Sequence, residues 1–293
     1  MRYDVRLRIG YRYAYAVKEA RHVLRVSPRG DRGQSVERAV VALSPTPVEL
    51  SSETDFFGNG TEHLRIQAAH QELSIEMRAR VEVRRGSAPE GTPTLEEIAQ
   101  AAGLSRDPEG ASPIHHLGAS RLVAPLAEVA DYARAAMGEA GRPGLDAVLD
   151  LARAIRRDFT YEAGSTGIRT SVETIFRQRR GVCQDFAHLM IAGLRGRGVP
   201  AAYVSGFLRT DPPPGEPRIE GADAMHAWVD VWLGEEAGWV GFDPTNACLV
   251  EDGHIIVAFG RDYADVAPVD GVLLITGPQS TWHVVDVVPL DES

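Results

Sequence analysis

Two cysteines stand in this chain of 293 residues, and one of them, Cys183, occupies a place where a thiol can act as a nucleophile. It lies in Arg180-Gly-Val-Cys-Gln-Asp-Phe-Ala-His-Leu-Met190, a glycine-released turn opening directly into an apolar helix. A free thiol ionises at about 8.5, and the unpaired N–H groups and axial dipole of a helix start favour the thiolate. Such a nucleophile needs a base within hydrogen-bond reach and a third group to orient the base. Both are supplied downstream. In Asp223-Ala-Met-His-Ala-Trp-Val-Asp-Val-Trp-Leu, period-2 alternation puts His226 on one strand face with Trp228 and Trp232. In Gly238-Trp-Val-Gly-Phe-Asp-Pro-Thr-Asn246, Asp243 ends the next strand just before a proline that stops the ladder. The short turn Gly234-Glu-Glu-Ala-Gly238 predicts that the two strands form a hairpin, bringing His226 and Asp243 to comparable height. A thiol, an imidazole and a carboxylate in that order suit attack on an acyl carbon through a covalent intermediate.

Each of these residues also has a plainer reading. Cysteine is among the most buried residue types, so Cys183 could be a packed small residue, and Cys248 in Thr-Asn-Ala-Cys-Leu-Val is read that way. His226 could be a core histidine, and Asp243 could merely cap the turn Asp-Pro-Thr-Asn. Zinc held by Cys183, His226 and Asp243 is a further alternative. Asp185, in the first helical turn, is read as complementing the dipole. His188 lies about 140° around the helix from Cys183 and is not the base. His115-His116 lack a nearby third ligand, which leaves no metal site predicted.

The elements that must position these groups come in two styles. From Tyr3 to about Arg85 short alternating runs are separated by turn clusters such as Ser27-Pro-Arg-Gly and Phe57-Gly-Asn-Gly60, the pattern of an antiparallel β-domain. The break Ser87-Ala-Pro-Glu-Gly-Thr-Pro93 sets its boundary. Helical periodicity follows at Thr94–Ala102, Leu122–Met137 and Leu145–Phe159, and the helix begun near Cys183 stops at Arg195-Gly-Arg-Gly. Beyond it the segments 201–208, 226–233, 239–243, 254–259, 272–276 and 282–288 read as strands. The predicted class is α+β, divided into a β-domain at 1–88, a helical connecting segment at 89–143, and a core with C-terminal strands at 144–293. The loop Asp211-Pro-Pro-Pro-Gly-Glu-Pro217 precedes the His226 strand and is placed as a gate to the cleft.

Composition removes several functions. Acidic residues outnumber basic ones 41 to 31, a net charge of −10, which argues against neutralising a nucleic-acid backbone. Lys18 is the single lysine, so the chain offers almost no amines for self-crosslinking. No window reaches the roughly 18 apolar residues of a membrane span, and the N-terminus alternates charge with apolar residues, unlike a signal peptide. A cytoplasmic location is expected. Two cysteines without C-x-x-C spacing make neither a disulfide framework nor a zinc knuckle, and no cofactor is expected.

Gly181-Val-Cys-Gln-Asp, Asp223-Ala-Met-His-Ala-Trp and Gly238-Trp-Val-Gly-Phe-Asp-Pro-Thr together resemble the three core motifs of the transglutaminase-like superfamily. Gly260-Arg-Asp-Tyr-Ala-Asp-Val-Ala-Pro268 and the region 3–83, with Asp55-Phe-Phe-Gly-Asn, are similar to the bacterial branch that carries an N-terminal β region. The resemblance implies a papain-like core, with Cys183 as nucleophile, His226 as general base and acid, and Asp243 as its orienter. It implies amide cleavage or transfer on a peptide or protein through a thioester. Crosslinking members of the family lead one to expect a tryptophan upstream of the nucleophile, yet all four tryptophans follow Cys183. Tyr161 and Gln178 are the candidates for the oxyanion donor in its place, and hydrolysis is favoured over crosslinking. By analogy, Arg261, Asp262, Tyr263 and Asp265 line the cleft; an ion-paired surface turn is the alternative. The competing function is a protein-interaction module with a vestigial site.

Overall fold

A computed structural model describes residues 1–210, 219–274 and 277–290. The β-domain begins with β1 (Arg2–Val17), in which Tyr3, Val5, Leu7 and Ile9 alternate inward, followed by β2 (Ala20–Leu24), β3 (Gln34–Ser44), β4 (Glu49–Thr54), β5 (Gly60–Ile66) and β6 (His70–Val83). Helices α1 (Leu95–Leu104), α2 (Ala127–Met137) and α3 (Gly144–Asp158) come next. The short strand β7 (Thr160–Tyr161), helix α4 (Val172–Gln178) and short strand β8 (Arg180–Gly181) then lead into α5 (Cys183–Arg195). The core sheet contains β9 (Ala201–Leu208), β10 (Ala224–Trp232), β11 (Trp239–Asp243), β12 (Cys248–Leu249) and β13 (His254–Gly260). A single turn, α6 (Tyr263–Val266), and strands β14 (Val269–Leu273) and β15 (Gln279–Leu290) follow. Among the described residues no helix is long and apolar enough to cross a membrane.

The fold is α+β, as expected, with helices before an antiparallel five-stranded sheet ordered β12-β11-β10-β9-β13. α1 starts at Thr94, whose side chain and Glu97 cap each other reciprocally. α2 starts at Ala127, later than the periodicity of Leu122–Met137 suggests, because Pro125 cannot donate an N–H and holds its predecessor out of the helical region. α5 is buried from Asp185 to Leu194 and packs against α2, α4, β9 and β10. Being apolar on nearly all sides, it forms the centre of the core.

Two expectations are corrected by the sheet pairings. The C-terminal strands do not extend the core sheet: β15 pairs with β1 from Arg2↔Leu290 to Tyr13↔Gln279, and β14 pairs with β2. They complete the two β-domain sheets, ordered β15-β1-β6-β3 and β14-β2-β5-β4, so chain order and spatial grouping part at the C-terminus. Nor is everything after α5 extended, since α6 intervenes.

The β-domain also closes the open edge of the core sheet. β13 is an edge strand, and an unpaired edge is a template for aggregation. Gln34 accepts from the Ile256 N–H at 2.9 Å and donates to the Ile256 carbonyl at 2.9 Å. Asn59 does the same to Phe259, at 2.8 Å in each direction. Two buried side-chain amides thus stand in for a neighbouring strand.

Candidate active site

Cys183 is the first residue of α5, where its N–H has no acceptor within the helix. The turn before it is fixed by Asp185, fully buried, whose Oδ2 accepts from the Val182 N–H at 2.8 Å and from Thr166 Oγ1 at 2.5 Å. Burial raises the Asp185 pKa, opposed by those two hydrogen bonds. Gly181 is required by this close packing, because a Cβ there would lie 2.8 Å from both Cβ and Oδ2 of Asp185. Asp185, read as complementing the helix dipole, lies in the first turn of α5 and there holds the Val182 N–H.

β10 and β11 form the expected hairpin, with Trp232↔Trp239 and Val229↔Phe242 in register. Pairing ends there because Pro244 follows Asp243, so the stretch of β10 that bears His226 is unpaired on that side. Opposite His226 on β9 stands Gly206, whose missing side chain is replaced by the Trp228 ring; a Cβ there would be 2.4 Å from it. The His226 and Trp228 rings are 6.2 Å apart.

His226 Nε2 lies 2.8 Å from Asp243 Oδ2, both side chains being buried. Cys183 lies near enough to act on the His226 charge, and with Nε2 given to Asp243 it is Nδ1 that is left to face a thiol. Burial is the largest influence on His226 and disfavours its charge. The Asp243 hydrogen bond, the nearby Cys183 thiol and the charges of both together outweigh it and raise the pKa to about 9. Asp243 is pushed the other way. Burial alone would raise it, but His226, His254 and Asn246 hold it far below the usual carboxylate range.

Asp243 accepts a full set of donors. Oδ1 takes the N–H of Thr245 at 2.8 Å and of Asn246 at 3.1 Å, and Oδ2 takes Asn246 Nδ2 at 2.6 Å, His226 at 2.8 Å and His254 at 3.2 Å. The turn-capping reading of Asp243 therefore holds alongside its contact with His226, one oxygen serving each purpose. His254 and Asn246 were not singled out by the sequence. Asn246 was visible only as part of the Asp-Pro-Thr-Asn turn, and His254 carries no local signal, since only strand register brings it near.

The oxyanion candidates are placed differently. β7 pairs in parallel with β8, Tyr161 opposite Gly181, and the Glu162 N–H bonds the Gly181 carbonyl at 2.9 Å. Tyr161 is thereby strapped beside the turn that leads into Cys183; its side chain is half-exposed, and its phenol pKa is raised by partial burial and then by the nearby Cys183 charge. Gln178 ends α4 exposed, with no hydrogen bond to the triad among the described residues. His188 is buried and accepts the Tyr263 N–H at 3.1 Å, its pKa lowered to about 4 by burial, which agrees with its exclusion as the base. His116 is buried, with its Nε2 on the Gly110 carbonyl. Arg261 and Asp265 form the ion-paired turn, at 2.8 Å. The predicted gate, 211–217, lies outside the described residues.

The geometry does not suit zinc on Cys183, His226 and Asp243, because among the described residues the ligand atoms close enough to share an ion are those of His226, Asp243 and His254, without Cys183. A cavity of about 1200 Å³ between the β-domain and the sheet is lined by Arg32, Arg85, Asp230, Trp239 and His254 but not by Cys183 or His226, so its size does not mark the chemistry.

The fold is that of a transglutaminase-like core preceded by a β region. The bacterial transglutaminase-like N-terminal region matches residues 3–82, and the transglutaminase-like superfamily core matches residues 130–244. The chain belongs to the transglutaminase-like superfamily. It is 38% identical to an uncharacterized protein of Mycobacterium tuberculosis over 99% of this chain and 93% of that one. An uncharacterized protein of Mycobacterium leprae is 31% identical over 96% of each. A solved structure of a candidate cysteine protease from Cytophaga hutchinsonii has the same fold, with a TM-score of 0.76 at 22% identity, covering 100% of this chain and 92% of that one.

Proposed function

We propose that the protein is a cysteine-dependent amide hydrolase or acyl transferase, acting on peptide or protein amides through Cys183, His226 and Asp243. The observation that supports it is the buried pair His226–Asp243 at 2.8 Å, with Cys183 at the start of α5 near enough to His226 to raise its pKa. In this reading the Cys183 S–H proton passes to His226 Nδ1, the thiolate attacks the amide carbon, and the carbonyl π electrons move to oxygen. The oxyanion is held by the free N–H at the start of α5, with the Tyr161 phenol as second donor. Collapse breaks the C–N bond, and His226 gives the Nδ1 proton to the departing amine, leaving a thioester. His226 then takes a proton from water as the water attacks the acyl carbon, and the second collapse returns the thiolate beside an imidazolium. An acceptor amine in place of water gives transamidation. Water is favoured, because no tryptophan precedes Cys183 in the chain. A cytosolic setting, where thiols stay reduced, suits two free cysteines.

Two measurements test this. Iodoacetamide labelling of Cys183 should slow at least about tenfold in His226→Ala, the effect expected when the partner that activates a thiol is lost. Turnover of amide and isopeptide libraries should vanish in a folded Cys183→Ala protein. Equal labelling in both proteins would refute the triad. A biological phenotype unchanged by Cys183→Ala would favour an interaction module instead.

A further inference from the structure

We propose that His254 is a positioning residue, which donates its Nε2–H to Asp243 and fixes the carboxylate that orients His226. This rests on the triad reading above. His254 opens β13, opposite Leu208 of β9, with its ring buried edge-on against Trp228 at 5.3 Å. Its Nδ1 accepts the Glu251 N–H at 3.2 Å. A ring nitrogen that accepts carries no proton, so the proton of this imidazole sits on Nε2, 3.2 Å from Asp243 Oδ2. The tautomer that the Glu251 contact imposes is the one that can donate to the carboxylate.

Three side-chain donors meet on Oδ2, and they differ in what they can accomplish. Asn246 belongs to the same turn as Asp243 and moves with it. His226 is the group being positioned. His254 comes from β13 and ties the carboxylate to a separate part of the sheet. Its main chain is itself anchored, the N–H to Glu251 O at 3.0 Å and the carbonyl to Arg85 Nη2 at 3.0 Å. The same three ligand atoms, on His226, Asp243 and His254, lie close enough to suggest a divalent ion. An ion would need the Nε2 lone pair of His254, which would move its proton to Nδ1, against the Glu251 N–H. Hydrogen bonding to a carboxylate is the chemistry this arrangement supports.

Two substitutions separate the functions of the two ring nitrogens. In His254→Gln the amide reaches the Nε2 position and keeps a donor for Asp243; in His254→Asn it reaches only the Nδ1 position. The iodoacetamide rate at Cys183 should stay within about threefold of wild type in His254→Gln. In His254→Asn it should fall about tenfold, the usual scale for losing a group that orients a reactive side chain. Urea midpoints measured in parallel report the loss of stability. If both variants label like wild type, or both fall together with their stability, His254 is structural and the inference fails while the triad stands. If wild type labels no faster than His226→Ala, the triad fails and the inference with it. Should neither variant fold, imidazole ¹⁵N shifts of the wild-type protein decide the matter, and a proton on Nδ1 of His254 overturns the proposal.

Discussion

Asp243→Asn is the sharpest perturbation of the site, because it keeps the size of the side chain and removes only a charge and one acceptor. Asp243 is fully buried and accepts five hydrogen bonds. An amide nitrogen in the Oδ2 position would face three donors, and in the Oδ1 position two backbone N–H groups, so neither orientation escapes conflict. Breaking a buried ion pair by removing one partner costs about 3–5 kcal/mol. The pH dependence carries a second signature. His226 is raised from 6.5 to about 9, a difference worth about 3 kcal/mol. A raised folded pKa gives stability that is fully present below 6.5 and is lost as pH rises through about 9. Asp243 is depressed, so its contribution is present above about 3.8 and is lost only in strong acid. In Asp243→Asn the burial of His226 remains while its main charged partner is gone, and the ring should become neutral below 6.5. Urea denaturation from about pH 6 to about pH 10, with His226→Gln subtracted to isolate the imidazole, should show the wild-type loss and its absence in Asp243→Asn. An equal slope in both proteins, or a wild-type His226 that titrates by NMR near 6.5, would refute the reasoning.

Tyr161→Phe should lower turnover about 10²–10³-fold if the phenol holds the oxyanion, with substrate affinity little changed, whereas Gln178→Ala should leave turnover intact. Asn59→Ala leaves the N–H and carbonyl of Phe259 without partners on a buried edge, which should cost at least about 2 kcal/mol by denaturation and promote aggregation. Cys248, whose thiol is pushed up to about 11 by burial and neighbouring carboxylates, should resist alkylation at neutral pH. Peptide mapping should therefore find one labelled cysteine, and label on Cys248 would contradict that burial.

How much of this was legible in the sequence depended on how local each signal was. Cys183 and its helix, the β10–β11 hairpin and the capped start of α1 are all set by neighbours within a few residues, and they lie where the motifs predict. The start of α2 failed by five residues because apolar spacing outweighed Pro125. The C-terminal strands were recognised as strands, but alternation does not say which sheet a strand joins, and β14 and β15 return to partners more than 200 residues earlier. His254 was invisible for the same reason. Its neighbours Ile255 to Phe259 form an ordinary apolar run, and its role arises only when β13 is laid beside β9.

If His254 positions Asp243 as proposed, that distance in sequence gives the β-domain a part in the chemistry. β13 carries His254 at its start, and apart from the His254 N–H on Glu251, the fastenings along its free edge come, among the described residues, from the first 85. Arg85 holds the His254 carbonyl, Gln34 holds both backbone groups of Ile256, and Asn59 holds both of Phe259. Asn59 is itself gripped by Arg29 at 2.6 Å and by Asp55 at 3.1 Å, which ties the clamp to the loop of Asp55-Phe-Phe-Gly-Asn59. An edge strand without these partners would fray from the end that bears His254, and a frayed end cannot hold a side chain to within a hydrogen-bond length. Weakening Gln34 or Asn59 should loosen the carboxylate of Asp243 through β13, without touching Cys183, His226 or Asp243 themselves.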